Sequence, residues 1–200
     1  MKLLTGPTSP FARKVAVAAH ELGLAERIEM QVVTTSPIQT DPGVAAANPL
    51  GKIPALIRDE GGTLYDSRVI CRYLEAEAGG TLYPETRLWE VLTLEATGDA
   101  IMDAGVLMIY ETRMRPEEKQ WDGWIEAQWG KITRALDALE NRWMGHMSGP
   151  LDMGQISVAC ALGYLDFRQG HRGWREGRPM LTDWQDRFDQ RPSMKATRPE

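Results

Sequence analysis

The pattern of the chain changes at Gly79-Gly80. From Arg87 onward there is hardly any strand-like alternation, so the second segment must bury its apolar residues by packing helix on helix. Its clearest element carries Ile125, Trp129, Ile132, Leu136, Leu139 and Trp143 at steps of 4, 3, 4, 3 and 4, one continuous apolar stripe of a core-facing helix. Leu88 to Met114 is a second long helix, with Leu92, Leu94, Ile101, Val106, Leu107, Met108 and Tyr110. A third runs over Asp152 to Phe167, where Ile156, Ala159, Cys160, Leu162 and Gly163 predict tight burial, and Asp152 with Gln155 fits a capping box. The stretch 79–86, from Gly79-Gly80 through Pro84, is the natural linker.

The first segment is built differently. Lys2 to Thr5 reads as a strand, and Pro10 to Leu24 as a helix with Phe11, Val15, Ala18, Ala19 and Leu22 at helical spacing. Ile28 to Val33 alternates as a half-buried strand does, and 34–52 is a long loop rich in Pro and Gly, with one helical turn at Val44 to Ala47. Ala55 to Arg58 and Thr63 to Tyr65 predict a hairpin joined by Asp59-Glu60-Gly61-Gly62, and Ser67 to Ala78 a helix. The order β-α-β-loop-β-β-α within residues 1–78 predicts a small α/β layer with a mixed sheet.

A chain of 200 residues with 42% hydrophobic content fills a core without disulfides or metal. The net charge of -5 offers no chain-wide positive field for nucleic acid or anionic lipid, so a small soluble ligand is the better expectation. No apolar run is long enough to span a bilayer, and Met1 to Leu4 leads straight into Gly6-Pro7 with no export-type apolar region, which together predict a cytoplasmic protein. Cys71 and Cys160, each in a helix-like apolar pattern, read as reduced core thiols. His20, His146 and His171 are widely separated, and metalloprotease, EF-hand, serine-hydrolase, dinucleotide and Walker patterns are missing, so no metal is expected.

Three loops carry what chemistry remains. In Thr8-Ser9-Pro10-Phe11, Ser9 directly precedes a helix with Pro at its first position. Its hydroxyl is a good N-cap, and the same hydroxyl with the first-turn amides forms an electropositive mouth that can lower a thiol pKa. In Asn48-Pro49-Leu50-Gly51-Lys52-Ile53-Pro54, a proline enters a strand. A cis Ile53-Pro54 bond would turn the Ile53 amide and carbonyl outward, toward an extended peptide ligand. In Tyr65-Asp66-Ser67, a strand ends and Ser67 caps the next helix, a helix start suited to a carboxylate.

Taken together, SPFARKV, NPLGKIPAL, YDSRVICRYL and GPLDMGQISVACALGYLDF resemble the segments of a bacterial cytosolic glutathione transferase over essentially the whole chain. The resemblance implies an α/β thioredoxin-like domain, residues 1–78, followed after the 79–86 linker by an all-α helical-bundle domain, residues 87–200. It places Ser9 at the glutathione sulfur, Lys52 at the glycine carboxylate, Ile53 with Pro54 at the cysteinyl unit, and Asp66 with Ser67 at the γ-glutamyl end. The chain departs from the family where Gln155 replaces the common Asp and Asp66 the common Glu. With no Cys near residue 9, a thiol-disulfide, omega-like activity is not expected. Thr8 remains an alternative to Ser9 at the sulfur.

The implied activity is addition of the glutathione thiolate to a small electrophile held against the helical domain, a detoxification chemistry, with glutathione as co-substrate and no metal. Met108, Tyr110 and Met114 are candidates for the electrophile's surroundings. A glutathione-transferase-like binding or stress-regulatory protein without turnover is the alternative, as is a glutathione-dependent isomerase or dehalogenase. The resemblance also implies a homodimer, with Asp99 or Asp103 reaching across to the ligand amine.

Overall fold

The computed structural model describes residues 1–199. The chain divides into two compact units, one of residues 1–86 joined by the segment from Pro192 onward, the other of Arg87–Arg191.

The first unit is built on a three-stranded sheet in the order β2-β1-β3. Strand β1 (Lys2–Thr5) lies in the middle, with β2 (Glu29–Val32) parallel to it and β3 (Ala55–Ile57) antiparallel. Central placement buries Leu3 and Leu4, whereas all four residues of β2 are exposed at the edge and only the flanking Ile28 is buried. The half-buried strand expected at Ile28 to Val33 is therefore an exposed edge strand. The expected second hairpin strand contracts to one bridge, Leu64 exchanging two 2.9 Å hydrogen bonds with Leu56 before the chain turns away at Asp66.

Helix α1 (Pro10–Glu21) turns an Ala- and Val-rich face inward and packs against α3 (Ser67–Ala78), which stops at Gly79 in the left-handed conformation, φ 61°. The short α2 (Pro42–Ala47) is capped by Asp41, whose carboxylate accepts from the Val44 N–H at 2.9 Å. Residues beyond Arg191 were expected to belong with the helical domain. Instead α9 (Pro192–Ala196) packs on α1, with Arg13 donating to the Met194 carbonyl at 3.2 Å and the Ser193 hydroxyl to the Glu21 carboxylate. That docking buries Ser193 and Met194.

The second unit holds α4 (Leu88–Met114), α5 (Asp122–Ala138), a π-helical turn over Leu139–Trp143 leading into α6 (Met144–Met147), α7 (Met153–Gln169) and α8 (Pro179–Phe188). Helix α7 is buried along nearly all its length against α4. Gly154 meets Leu94, Ser157 meets Gly98 and Tyr164 meets Gly105, an almost constant offset, so the two helices run parallel. The approach is close: a Cβ on Gly98 would stand 2.5 Å from the Ser157 Oγ.

Asp152 caps α7, accepting from the Gln155 N–H at 3.1 Å and from His146 Nε2 at 2.7 Å, with Arg87 Nη1 3.6 Å away. The reciprocal half of the expected capping box is not made. The Gln155 side-chain amide points away instead, 3.3–3.4 Å from the carbonyls of His146, Met147, Gly149 and Pro150, and ties down the loop before the helix. Helix α8 is capped from elsewhere: Glu140, in the π-helical turn, accepts from the Met180 and Leu181 N–H groups at 3.2 and 2.7 Å. Cys71 and Cys160 are buried and not disulfide-bonded.

Candidate functional site

Strand register decides where the three chemistry-bearing loops emerge. Leu4 pairs with Ala55, and Leu56 with Leu64, in antiparallel fashion. The segment after β1 (6–9), the segment before β3 (52–54) and the residues after the Leu64 bridge (65–67) therefore leave the sheet at the same end. The first two approach closely, since a Cβ on Gly6 would lie 2.8 Å from the Ile53 Cδ1 and the Ile53 side chain would have to shift.

Ser9 is the N-cap of α1, half-buried, and its hydroxyl oxygen accepts from the Ala12 N–H at 3.3 Å. The hydroxyl proton is donated to no acceptor among the described residues. The first turn offers fewer amides than its length suggests. Pro10 has none, Ala12 N–H is taken by the Ser9 side chain and Arg13 N–H by the Ser9 carbonyl at 3.0 Å. Only the Phe11 N–H is left without a partner among the described residues. Thr8, in the turn before, is exposed.

The Ile53-Pro54 peptide is cis, and the Ile53 N–H and C=O both lack hydrogen-bond partners among the described residues. Ile53 itself packs its side chain against Leu4, Val44 and Ala55. The loop is shaped by Asn48, 2% exposed, whose Oδ1 accepts from the Leu50 N–H at 3.0 Å and whose Nδ2 donates to the Lys52 carbonyl at 2.9 Å. Sequence reasoning did not single out Asn48; a polar residue four positions before a strand-entering Lys-Ile-Pro was the available signal. The Lys52 side chain is exposed.

At the start of α3, Asp66 and not Ser67 is the cap, accepting from the Arg68 N–H at 3.0 Å and pairing with the Arg68 guanidinium at 3.2 Å. Asp66 keeps extended backbone, Ser67 is the first helical residue, and the Tyr65-Asp66 peptide is cis. Burial alone would raise the Asp66 carboxyl, but the hydrogen bonds and charge of Arg68, followed by the charge of Lys14, outweigh it and hold the group below the usual carboxylate range. Lys14 is fully buried in α1, a basic side chain that an amphipathic reading of SPFARKV gave no reason to place inside. Ser67 is 2% exposed, and its N–H and hydroxyl have no partner among the described residues. The arrangement thus offers a carboxylate beside free donors, the pairing that suits an ammonium and a carboxylate on one carbon.

Other expected positions fall elsewhere. Asp99 is buried and accepts from the Ser157 hydroxyl at 3.0 Å, so its carboxylate is turned into the α4–α7 packing. Met108 is buried, whereas Tyr110 and Met114 are half-buried. Among the described residues no group of three or more His, Cys, Asp and Glu can hold a metal ion, and no helix is long and apolar enough to cross a membrane.

Comparison with known proteins shows the family of the chain. Residues 8–77 match the model of the glutathione S-transferase N-terminal domain, and residues 122–187 that of the C-terminal domain. A glutathione transferase family member from Pseudomonas fluorescens, solved with bound glutathione, is 46% identical, covers 100% of this chain and 98% of its own, and superposes with a TM-score of 0.97. A structure from the same organism with bound S-(propanoic acid)-glutathione is also 46% identical, covers 100% of both chains and has a TM-score of 0.92. An uncharacterized GST-like protein of Escherichia coli, YibF, is 35% identical over 100% of this chain and 98% of its own length.

Proposed function

The chain belongs to the glutathione S-transferase family, and from that premise we propose that it is a glutathione transferase that stabilises the glutathione thiolate for attack on a small electrophile. The observation that carries the reading is the convergence of uncommitted hydrogen-bonding groups on one end of the sheet: the Ser9 hydroxyl proton, the Ile53 N–H and C=O, and the Ser67 N–H. Uncommitted main-chain groups are uncommon at half-buried positions, and an extended tripeptide pairs with just such a set.

In this reading Ile53 pairs through its backbone with the cysteinyl unit, beside the cis Pro54, and Lys52 meets the glycine carboxylate. Asp66, held ionised, takes the γ-glutamyl ammonium, and Ser67 donates to its carboxylate. Ser9 then donates to the sulfur, with the Phe11 N–H and the positive end of α1 adding to the field that favours thiolate. The thiol proton leaves to solvent, and the sulfur lone pair forms the new bond to the electrophile's carbon. The S-(propanoic acid)-glutathione bound in the Pseudomonas relative is a thioether of this kind, which supports the reading.

A homodimer in the cytoplasm completes the proposal. Trp89 and Leu107 on α4 are 76% and 40% exposed, apolar surface that a second copy would cover. Calorimetry with glutathione, run beside turnover assays on an aryl halide and a panel of other electrophiles, tests the function. Binding with turnover is expected. Binding without turnover of any electrophile would favour a binding or regulatory protein, rearranged or dehalogenated products an isomerase or dehalogenase, and no binding would overturn the proposal.

A further inference from the structure

The Ile53 N–H is one half of a peptide whose other half is already held. The Lys52-Ile53 peptide is trans, so its carbonyl and its N–H lie in one plane and point in opposite directions. The carbonyl accepts from the Asn48 Nδ2 at 2.9 Å, while the N–H has no partner among the described residues. Whatever fixes the one end therefore aims the other.

Asn48 is itself held on every side. Its N–H donates to the Val44 carbonyl at 2.7 Å, which ends α2, and its carbonyl accepts from the Gly51 N–H at 2.8 Å, which closes the turn that follows. Its Oδ1 accepts from the Leu50 N–H at 3.0 Å, so Nδ2 is the end of the amide that faces the Lys52 carbonyl. The side chain is buried, and an unpaired amide there costs more than the bond itself gives, which keeps the contact in one geometry. The other flank of the loop is fixed separately. The Thr35 hydroxyl donates to the Gly51 carbonyl at 3.3 Å and accepts from the Asp41 N–H at 3.2 Å.

We propose that Asn48 is a positioning residue for the thiol substrate: by holding the Lys52 carbonyl it sets the plane of the Lys52-Ile53 peptide and aims the Ile53 N–H at the cysteinyl carbonyl of glutathione. The proposal rests on the glutathione transferase reading. Asn48 acts through one peptide, so its effect falls on a single hydrogen bond to the ligand. The Ile53 carbonyl, which meets the cysteinyl N–H in the same reading, belongs to the next peptide unit and is not turned by Asn48. An N–H aimed in advance has little orientational freedom left to lose on binding, which raises affinity without any new contact. The competing account makes Asn48 a loop former only, closing the turn after α2. That role lowers stability and does not distinguish one ligand hydrogen bond from another.

The test is a cycle between protein and ligand, read by calorimetry on the full chain. Glutathione is compared with two analogues. In the first an ester oxygen replaces the glycine N–H, which weakens the cysteinyl carbonyl as an acceptor; in the second an ester oxygen replaces the cysteinyl N–H. Asn48→Asp keeps the acceptor for Leu50 and removes the donor to Lys52. It should weaken glutathione about five- to tenfold, the first analogue about twofold or less, and the second as much as glutathione. In turnover, KM for glutathione should rise by the same factor while kcat at saturation stays within about twofold. Asn48→Ala should give the same pattern. Thr35→Val, which loosens the same loop without touching the Lys52 carbonyl, should treat all three ligands alike. Equal losses for glutathione and the first analogue in the Asn48 variants overturn the proposal, and so does an unchanged glutathione affinity. Should neither Asn48 variant fold, hydrogen exchange on the wild type decides. A slow Asn48 side-chain amide beside a fast Ile53 N–H that glutathione protects is expected, and a fast Asn48 amide overturns the proposal. Failure of glutathione to bind the wild type overturns the transferase reading and this role with it.

Discussion

At Ser9 two roles share one hydroxyl, because the oxygen accepts from the Ala12 N–H while the proton is left to donate. Ser9→Ala removes a charge-assisted bond of about 1.5 to 3 kcal/mol and should slow conjugation roughly ten- to a hundredfold, with the pH profile of the bound thiol moved upward. Glutathione affinity should change far less, since the contacts proposed for Lys52, Ile53 and Ser67 remain. Ser9→Gly separates the roles, for Gly caps nearly as well but has no hydroxyl. A wild-type rate in Ser9→Gly would reduce Ser9 to a cap and turn attention to Thr8 or the Phe11 N–H. Asp66 predicts a pH effect. Its folded pKa lies below the ordinary value of 3.8, so its contribution to stability is complete above that value and is lost as pH falls through the folded one. With the side chain 55% exposed, the contribution is roughly a few tenths of a kcal/mol. Urea unfolding of the wild type and Asp66→Asn should differ at pH 7 and converge in acid. Residue identity made Ser9 legible as a cap and the Ile53-Pro54 bond legible as cis, because caps and strand-entering prolines are local signals. Lys14 and Asn48 were not, because their burial depends on which elements close over them.

At the scale of the element, the helix ends and the helix crossing are the sensitive points. Asp152 is fully buried and serves the Gln155 N–H, His146 and Arg87 at once, so Asp152→Ala should cost about 2 to 4 kcal/mol, read as a lower urea midpoint. Gly98→Ala should cost about 1 to 3 kcal/mol by forcing α4 from α7, whereas Gly145→Ala, with open space around the new Cβ, should be neutral or stabilising. The three long helices could be read from periodicity, and α4 matches its expected span from Leu88 to Met114. Periodicity could not show that the stripe from Ile125 to Trp143 passes through a π-helical turn, because the steps of three and four continue across it. The purpose of that turn appears only in space, where Glu140 meets the amides of α8. Ser67 was misassigned as a cap for a similar reason: Asp and Ser both cap well, and the backbone at residue 66 decides between them.

For the whole molecule, sedimentation at micromolar concentration should show a species of twice 22.4 kDa, and a monomer alone would refute the proposed dimer. The change of pattern at Gly79-Gly80 made the two-part organisation visible, since strand-like and helical periodicities differ along any stretch of chain. The return of α9 to the first unit was invisible, because a five-residue helix carries too little pattern to name its partner. That return has a temporal side. Arg13 and the Met194 carbonyl that receives its hydrogen bond are 181 positions apart. At the ribosome's pace, roughly ten to forty seconds separate the synthesis of the two. For that interval the helix that Ser9 begins waits with one flank open, an unfinished surface that only later-made chain can cover.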